Sequence, residues 1–264
     1  MASPRKVAFV TAATDHGTFI VNRFDGNRTA GGGYGVGLEL LENGFREPAE
    51  IALTLGLLDL RRKYFGDGVV AVDCGANIGI HTVEWSRHMT AWGSVLAIEA
   101  QERVYYALAG NIAMNNCFNA RAIYAAVGKQ TGVIKIPSLD HRSSASFGSL
   151  ELRKRERTEA IGQTVDYSEQ NMTDVQSVSI DSLNLARVDL LKIDVEGMEI
   201  ETLEGATKCI SNHHPVLFVE WIKSDKNKLR SWLADAGYAV NESGMNFLAV
   251  HHSDKCLGHV KALG

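Results

Sequence analysis

The sequence lacks the features that mark secreted, membrane-spanning or broadly nucleic-acid-binding proteins. Its four cysteines, Cys74, Cys117, Cys209 and Cys256, lie far apart without a C-x-x-C pair, which predicts neither a zinc site nor a disulfide framework. No apolar run is long enough for a transmembrane helix, and the apolar stretch near the N-terminus is too short for a signal peptide. The net charge of −4 argues against sequence-independent nucleic-acid binding. We expect a cytoplasmic protein whose partner is neither nucleic acid nor a membrane.

The chain is long enough to bury a sizeable core, with 264 residues of which 45% are hydrophobic. From Val69 onward, apolar runs alternate with amphipathic segments, which predicts an α/β fold with a doubly wound, mostly parallel sheet. The last two runs, Tyr238 to Val240 and Asn246 to Val250, flank a Ser-Gly turn and predict a C-terminal antiparallel hairpin strand. Residues 1–45 are expected to form a strand and loop extension, and residues 46–264 the main domain.

The most informative segment runs from Val69 to Thr82. A buried strand ends at Asp73, and Gly75 and Gly79 then lead into an amphipathic helix. Glycines at such a turn let a ligand lie against the backbone and let the helix pack close to the sheet.

An acidic residue follows this turn at the distance expected of a ribose-binding group. Glu99 ends the next apolar strand, about twenty residues beyond Gly79. The glycine pair alone is a weak signal, because the full G-x-G-x-x-G fingerprint is absent. With Asp73 and Glu99 at two successive strand ends, however, the pattern predicts a ligand that carries a ribose.

Two further motifs connect the chain to a known family. The segment Asp73-Cys-Gly-Ala-Asn-Ile-Gly79 with Thr82 resembles the D-x-G-A-N-I-G-x-x-T motif of the FkbM-type methyltransferases, which use S-adenosylmethionine (SAM). The segment from Asp189 to Glu199 resembles the family's D-L-I-K-I-D-V-E-G motif. The match extends from about Tyr64 to Glu220. It implies a Rossmann-like class I methyltransferase sheet in the domain of residues 46–264, with SAM as cofactor.

The resemblance implies a set of cofactor-binding residues around the two strand ends. These are Asp73, Gly75, Ala76, Asn77, Gly79, Thr82, Glu99 and Ala100. For Thr82, capping of the helix is an equally good interpretation. The chain departs from the family where proline usually follows the ribose-binding acid, because Ala100 stands there.

Catalytic residues are expected at the next two strand ends. Asp194 and Glu196 should project to the same side of an extended chain, and Lys192 should point the same way. We predict that Asp194 and Glu196 orient and deprotonate an acceptor hydroxyl, with Lys192 and Glu220 tuning them. The carboxylates could hold a divalent ion, as in catechol-type O-methyltransferases, but no spacing requires one and no metal is predicted.

The leading hypothesis is an O-methyltransferase acting on a small hydroxylated acceptor, such as a sugar or natural product. The polar stretch at residues 138–173 is predicted to be a lid-like insertion over the ligand. The alternatives are an NAD-dependent oxidoreductase, disfavoured by the terminal hairpin and the incomplete glycine fingerprint, and a non-catalytic SAM- or nucleotide-binding module.

Overall fold

The computed structural model describes residues 6–29, 32–155 and 158–260. Residues 1–5 and 261–264 of the two expected domains, and residues 156 and 157 of the expected lid, lie outside the described residues. In the described ranges, no helix is both long and apolar enough to cross a membrane.

The first part of the chain forms two small hairpins and two helices. The elements are β1 (Phe9–Thr14), β2 (Gly17–Asn22), β3 (Asn27–Thr29), β4 (Gly32–Tyr34), α1 (Val36–Asn43) and α2 (Pro48–Phe65). The described part of the glycine-rich stretch at residues 29–37 contains β4 and the start of α1. Val36 and Leu40 of α1 are buried, and this burial stabilises a helix that the glycine-rich sequence conceals.

From Val69 onward, strands and helices alternate along much of the chain. The elements are β5 (Val69–Cys74), α3 (Ile80–His88), β6 (Gly93–Glu99), α4 (Glu102–Met114), β7 (Ala120–Tyr124), β8 (Ala126–Val127), β9 (Gly132–Pro137), β10 (Met172–Val178), β11 (Leu190–Ile193), α5 (Glu199–Glu204), α6 (Thr207–His213), β12 (Val216–Glu220), α7 (Lys226–Asp235), β13 (Tyr238–Ser243), β14 (Asn246–His251) and α8 (Leu257–Val260). The predicted order of strands and helices in this region is confirmed.

Seven strands form the central sheet in the order β13-β14-β12-β11-β5-β6-β7. The strands from β12 to β7 are parallel, and β14 runs antiparallel to both of its neighbours. The predicted α/β fold, with its mostly parallel sheet and C-terminal antiparallel hairpin, is therefore confirmed. Because β11 and β5 are adjacent, the chain segments that follow them meet at one edge of the sheet.

Alternating residues of the buried strands pack on opposite faces of the sheet. Val69 and Ala71 of β5 join a cluster with Leu58 of α2 and Trp85 of α3. Val72 belongs to a second, larger cluster that includes residues of α5 and α6. This pattern produces three layers with the sheet in the middle.

Two continuous apolar or amphipathic segments of the sequence each form two elements. The apolar run at residues 120–127 forms β7, which ends at Tyr124, and β8, which pairs with β10 in a small sheet with β9. The amphipathic segment at residues 198–210 forms α5 and α6 on either side of Gly205. A Cβ at Gly205 would lie 2.2 Å from the carbonyl oxygen of Gly128, so this break lets two backbones touch.

The polar insertion is more ordered in its described part than the sequence indicates. Residues Phe147, Leu150 and Ile161 are buried in the core although they follow no periodic pattern. The buried carboxylate of Asp25 accepts a 3.0 Å hydrogen bond from the Phe147 amide, which attaches the insertion to the N-terminal extension.

A buried arginine of α2 binds one residue that precedes β11 and one that follows β14. Both lie at the sheet edge opposite the one where the segments after β5 and β11 meet. Arg61, only 4% exposed, donates through Nε to Asp189 at 3.1 Å and also bonds the buried Asp254. Removing the guanidinium leaves the carboxylate of Asp254 buried without a cation among the described residues, whereas Asp189 keeps its ion pair with Arg187; an uncompensated buried charge is strongly destabilising.

We predict that Arg61→Met lowers the free energy of unfolding by about 3–5 kcal/mol, measured by urea denaturation. Arg62→Met is the matched control, because Arg62 pairs with Asp67 at the exposed surface and such pairs contribute about 0–1 kcal/mol. Equal effects of the two substitutions would contradict the assigned role of Arg61.

Candidate active site

A cavity of about 590 Å³ lies at the carboxyl ends of the central parallel strands. Its wall includes the residues that follow β5, β6, β11 and β12, and also residues of the N-terminal extension and of the 138–173 insertion. Of the twelve site residues expected from the sequence, all but Gly79 and Thr82 line this cavity. The fold thus gathers the two expected groups, cofactor-binding and catalytic, into one space.

The turn after β5 approaches the loop after β11 so closely that a side chain is excluded. A Cβ at Gly75 would lie 1.7 Å from the carbonyl oxygen of Asp194, and Gly75 has a φ of +78°. The Asp194 amide in turn donates to the Cys74 carbonyl at 3.0 Å. Glycine is therefore required at position 75 on steric grounds, and the next two residues, Ala76 and Asn77, line the cavity.

Gly79 and Thr82 contact the turn and Asp73 on the side away from the cavity. Gly79 begins α3 with a φ of +91°, and a Cβ there would lie 2.6 Å from Leu108 of α4. Thr82 is fully buried and donates its hydroxyl hydrogen to Asp73 Oδ2 at 2.7 Å. Since neither residue lines the cavity, their positions indicate packing and orientation of Asp73 rather than ligand contact.

Asp73 is buried and keeps one oxygen available. Its Oδ1 has no hydrogen-bond partner in the described part of the chain, and it lies 4.0 Å from Lys192 Nζ. Burial raises the pKa of the Asp73 carboxyl, although Lys192 and the Thr82 hydroxyl oppose this rise. An unpartnered buried acceptor at the cavity wall is suited to a ligand that carries a donor or a positive charge.

Glu99 accepts hydrogen bonds from the segments that follow β5 and β6. Its Oε2 accepts from the Asn77 amide at 3.0 Å and its Oε1 from the Gln101 amide at 2.8 Å. Burial raises the pKa of Glu99 to about 7 despite these backbone hydrogen bonds. The carboxylate is held rigidly, and each oxygen retains acceptor capacity for a ligand in the cavity. Ala100, half-buried, lines the cavity beside it.

Lys192 and Asp194 form an ion pair at the end of β11. The buried Nζ of Lys192 lies 2.9 Å from Asp194 Oδ2. Burial by itself would lower the pKa of Lys192, but Asp194 and Asp73 raise it above its usual value, so the ammonium stays charged. The expected pairing of these residues is therefore present.

Glu196 lines the cavity, but its direction is set by a loop conformation and not by the expected alternation of an extended strand. Strand β11 ends at Ile193, and Glu196 has a left-handed φ of 54°, so strand alternation does not set its direction. The buried carboxylate of Glu199 accepts from the amides of Val195 at 3.3 Å and Gly197 at 2.9 Å, which holds this loop in shape.

Three carboxylates converge on this loop. One oxygen from each of Asp194, Glu196 and Glu220 lies within 4.8 Å of the other two. Burial and the neighbouring carboxylates raise the pKa of Glu196 and that of Glu220 above the usual glutamate value. The group can exchange a proton near neutral pH, as a general base or acid requires.

Lys223 is a cavity residue that the sequence analysis missed. Its Nζ bonds Glu196, donates to the Ser149 carbonyl at 2.8 Å, and lies 3.1 Å from Glu159. It thereby connects the acidic loop to the insertion. No motif marks it; its position shortly after Glu220 at the end of β12 was the available signal.

A second group of missed residues comes from the start of α2 and from α3. Arg46, Glu47, Glu50 and His81 all line the cavity. Burial raises the pKa of Glu50 to about 7 and lowers that of His81 well below its usual value. The sequence offered no spacing that connects α2 with α3, because only the fold brings them together.

Comparison with known proteins agrees with this architecture. A family model described as the methyltransferase FkbM domain matches residues 73–240. No protein of curated function matches the sequence.

Three solved structures are similar in fold. A methyltransferase FkbM from Methylobacillus flagellatus KT is 17% identical with a TM-score of 0.49, over 73% of this chain and 48% of that one. The chain thus spans about half the length of that protein. A putative caffeoyl-CoA O-methyltransferase from Staphylococcus aureus is 12% identical with a TM-score of 0.48, over 81% and 88% of the two chains. A magnesium protoporphyrin IX methyltransferase from Synechocystis PCC 6803, with bound SAM, is 10% identical with a TM-score of 0.43, over 77% and 78%.

The family model covers well over half of the sequence and includes both motifs as well as the strand ends that line the cavity. The chain therefore belongs to the FkbM family of SAM-dependent methyltransferases.

Proposed function

We propose that the protein transfers the methyl group of SAM to a hydroxyl oxygen of a small acceptor, such as a sugar or natural product. The observation that carries this proposal is the meeting of two groups in one cavity. The glycine turn with Glu99 and the carboxylates of Asp194, Glu196 and Glu220 all line this cavity.

The residues around the first two strand ends fit SAM. Gly75 lets the turn pack against the loop after β11, and Glu99 presents a fixed carboxylate to the two hydroxyls of a ribose. The unpartnered Oδ1 of Asp73 suits the amino-acid ammonium of SAM. Ala125 and Leu150 add apolar wall for the adenine ring.

SAM supplies an already activated methyl group on a sulfonium, so the protein mainly aligns the acceptor and removes its proton. We propose that Asp194 and Glu196 accept hydrogen bonds from the acceptor hydroxyl and take its proton. Lys192 fixes Asp194, and Lys223 fixes Glu196, so both carboxylates keep their positions during the reaction. Glu220 adds negative charge beside them.

The acid-rich wall and the net charge of −4 support a small-molecule acceptor over a nucleic acid. The four cysteines are free and buried, which supports action in the cytoplasm. Membership of a methyltransferase family removes the oxidoreductase alternative. The gathered Lys192, Asp194 and Glu196 side chains argue against a module that only binds SAM, since binding alone has little use for them.

We also propose that residues 138–173 close over the bound ligands. In the described part of this insertion, Gly148, Ser149 and Leu150 line the cavity, and Arg155 donates to the carbonyls of Gly197 and Lys223. These contacts place the insertion on the loop that carries Glu196.

The first prediction concerns cofactor capture. Glu99→Ala should weaken SAM binding by about 2–4 kcal/mol in titration calorimetry, because hydrogen bonds to a charged acceptor are lost. Glu102→Gln is the control, since its partly exposed side chain lies outside the cavity and contacts Tyr106 and Arg103. An unchanged dissociation constant for Glu99→Ala would refute the ribose assignment.

The same role makes SAM binding depend on pH. Ribose hydroxyls donate to the ionised carboxylate, and the pKa of Glu99 in the free protein is raised to about 7. As pH falls below this value the carboxylate becomes protonated, so affinity should decline, by at most about tenfold per pH unit. Glu99→Gln should remove that dependence.

The second prediction concerns proton removal. Asp194→Asn and Glu196→Gln keep shape and remove charge, so each should lower turnover by roughly 10²–10⁴-fold while SAM affinity stays nearly intact. Glu201→Gln, at a half-buried position of α5 outside the cavity, is the control. Wild-type turnover should rise with pH, because the raised pKa of Glu196 delays its ionisation. Full turnover in both variants would mean that the two carboxylates are structural.

The third prediction concerns the insertion. Trypsin should cut after the exposed Arg153 and Lys154, and SAM with acceptor should slow this cleavage because the closed insertion resists local unfolding. Cleavage after Lys255, exposed near the end of the chain, serves as internal reference and should not change. Equal cleavage at all sites with and without ligand would make the insertion a passive surface segment.

A further inference from the structure

A buried histidine and two glutamates meet on the side of the cavity formed by α2 and α3. A ring nitrogen of His81 and one oxygen from each of Glu47 and Glu50 lie within 4.8 Å of one another. All three residues line the cavity. Glu47 and Glu50 precede the matched range, and His81 occupies one of the two unspecified positions before Thr82 in the motif that begins at Asp73.

The histidine lacks the hydrogen bond that its burial calls for. His81 is 6% exposed, and its Nε2 has no partner in the described part of the chain. Its ring packs edge-on against Trp85 at 5.4 Å, which holds its orientation without satisfying the nitrogen. A buried polar atom without a partner destabilises a fold and indicates a ligand that the protein chain does not itself supply.

The carboxylates of Glu47 and Glu50 are each held in place by one neighbouring side chain. Glu47 forms an ion pair with Arg46 at 2.5 Å, and Asn246 donates to Glu50 Oε1 at 2.9 Å. Each carboxylate engages one oxygen in these contacts and has a second for another partner. Arg46 also bonds Glu39, so its charge is balanced within the cluster.

We propose that Glu47, Glu50 and His81 bind a first-row divalent metal ion, of the Mn²⁺ or Zn²⁺ type. Two carboxylates and one neutral imidazole balance a double positive charge, and a mixed nitrogen and oxygen donor set favours such ions over Mg²⁺ or Ca²⁺. Ligand atoms that each lie about 2.1 Å from a metal ion are up to about 4.2 Å from one another. The observed spacing within 4.8 Å therefore needs only small side-chain rotations to reach this geometry.

Three protein ligands leave coordination positions open toward the cavity. An ion there would accept oxygens of a polyhydroxylated acceptor and lower the pKa of a bound hydroxyl. This consequence rests on the proposed methyl transfer, whereas ion binding itself does not.

The site is distinct from the group of Asp194, Glu196 and Glu220. That group offers only oxygen donors, and Lys192 and Lys223 already neutralise two of its members. The two groups border the same cavity, so substitutions can tell which of them binds an ion.

The test is titration of the full chain with Mn²⁺, followed by electron paramagnetic resonance, and with Zn²⁺ by calorimetry. Glu50→Gln and His81→Phe should each weaken binding about a hundredfold, since loss of even an outer-shell partner costs about 10–100-fold. Glu220→Gln is the matched control and should bind as the wild type does. Glu47→Gln, at a half-buried position, replaces His81→Phe should that variant fail to fold.

Absence of ion binding in the wild type would overturn the proposal. So would binding that survives in Glu50→Gln and His81→Phe but is lost in Glu220→Gln. The titrations contain neither SAM nor acceptor, so their result is independent of methyl transfer, which labelled SAM measures separately.

Discussion

The contact between the turn after β5 and the loop after β11 organises the site. The Asp194 amide donates to the Cys74 carbonyl, while the Asp194 carbonyl oxygen occupies the space where Gly75 would carry a side chain. Two backbones can approach this closely only because β5 and β11 are parallel neighbours and position 75 is glycine. The turn proposed to receive SAM and the loop with Asp194 and Glu196 are thereby fixed relative to each other, which is the preorganisation that methyl transfer requires.

Charge balance is the second constraint on this cavity. Carboxylates outnumber cationic side chains along its wall, and burial raises the pKa of several of them. Lys192 and Lys223 offset part of the negative charge and hold Asp194 and Glu196 in place. The remaining excess favours positively charged occupants, which agrees with the sulfonium of SAM and with a divalent ion beside Glu50.

The sequence was sufficient for everything that depends on local pattern. The strand that ends at Asp73, the glycine turn and the position of Glu99 follow from apolar runs and spacing, and the family resemblance identified their cofactor. Residues assembled by tertiary packing were not predictable in this way. Lys223 lies outside both motifs, and His81 occupies an unspecified position of the first one. Helix α1 lies in a glycine-rich segment, and its formation depends on burial of Val36 and Leu40. The burial of residues such as Phe147 in the insertion was not predictable, because these residues are spaced irregularly in a polar stretch.

The central claim is that one cavity holds SAM and delivers its methyl group to an acceptor oxygen. The most direct measurement is incubation with methyl-labelled SAM and a panel of sugars and hydroxylated natural products, followed by identification of the methylated atom by mass spectrometry and nuclear magnetic resonance. The account predicts label on a hydroxyl oxygen of at least one acceptor, with one demethylated cofactor formed per methyl transferred. Label found on nitrogen or carbon, or cofactor bound without transfer to any acceptor, would contradict it.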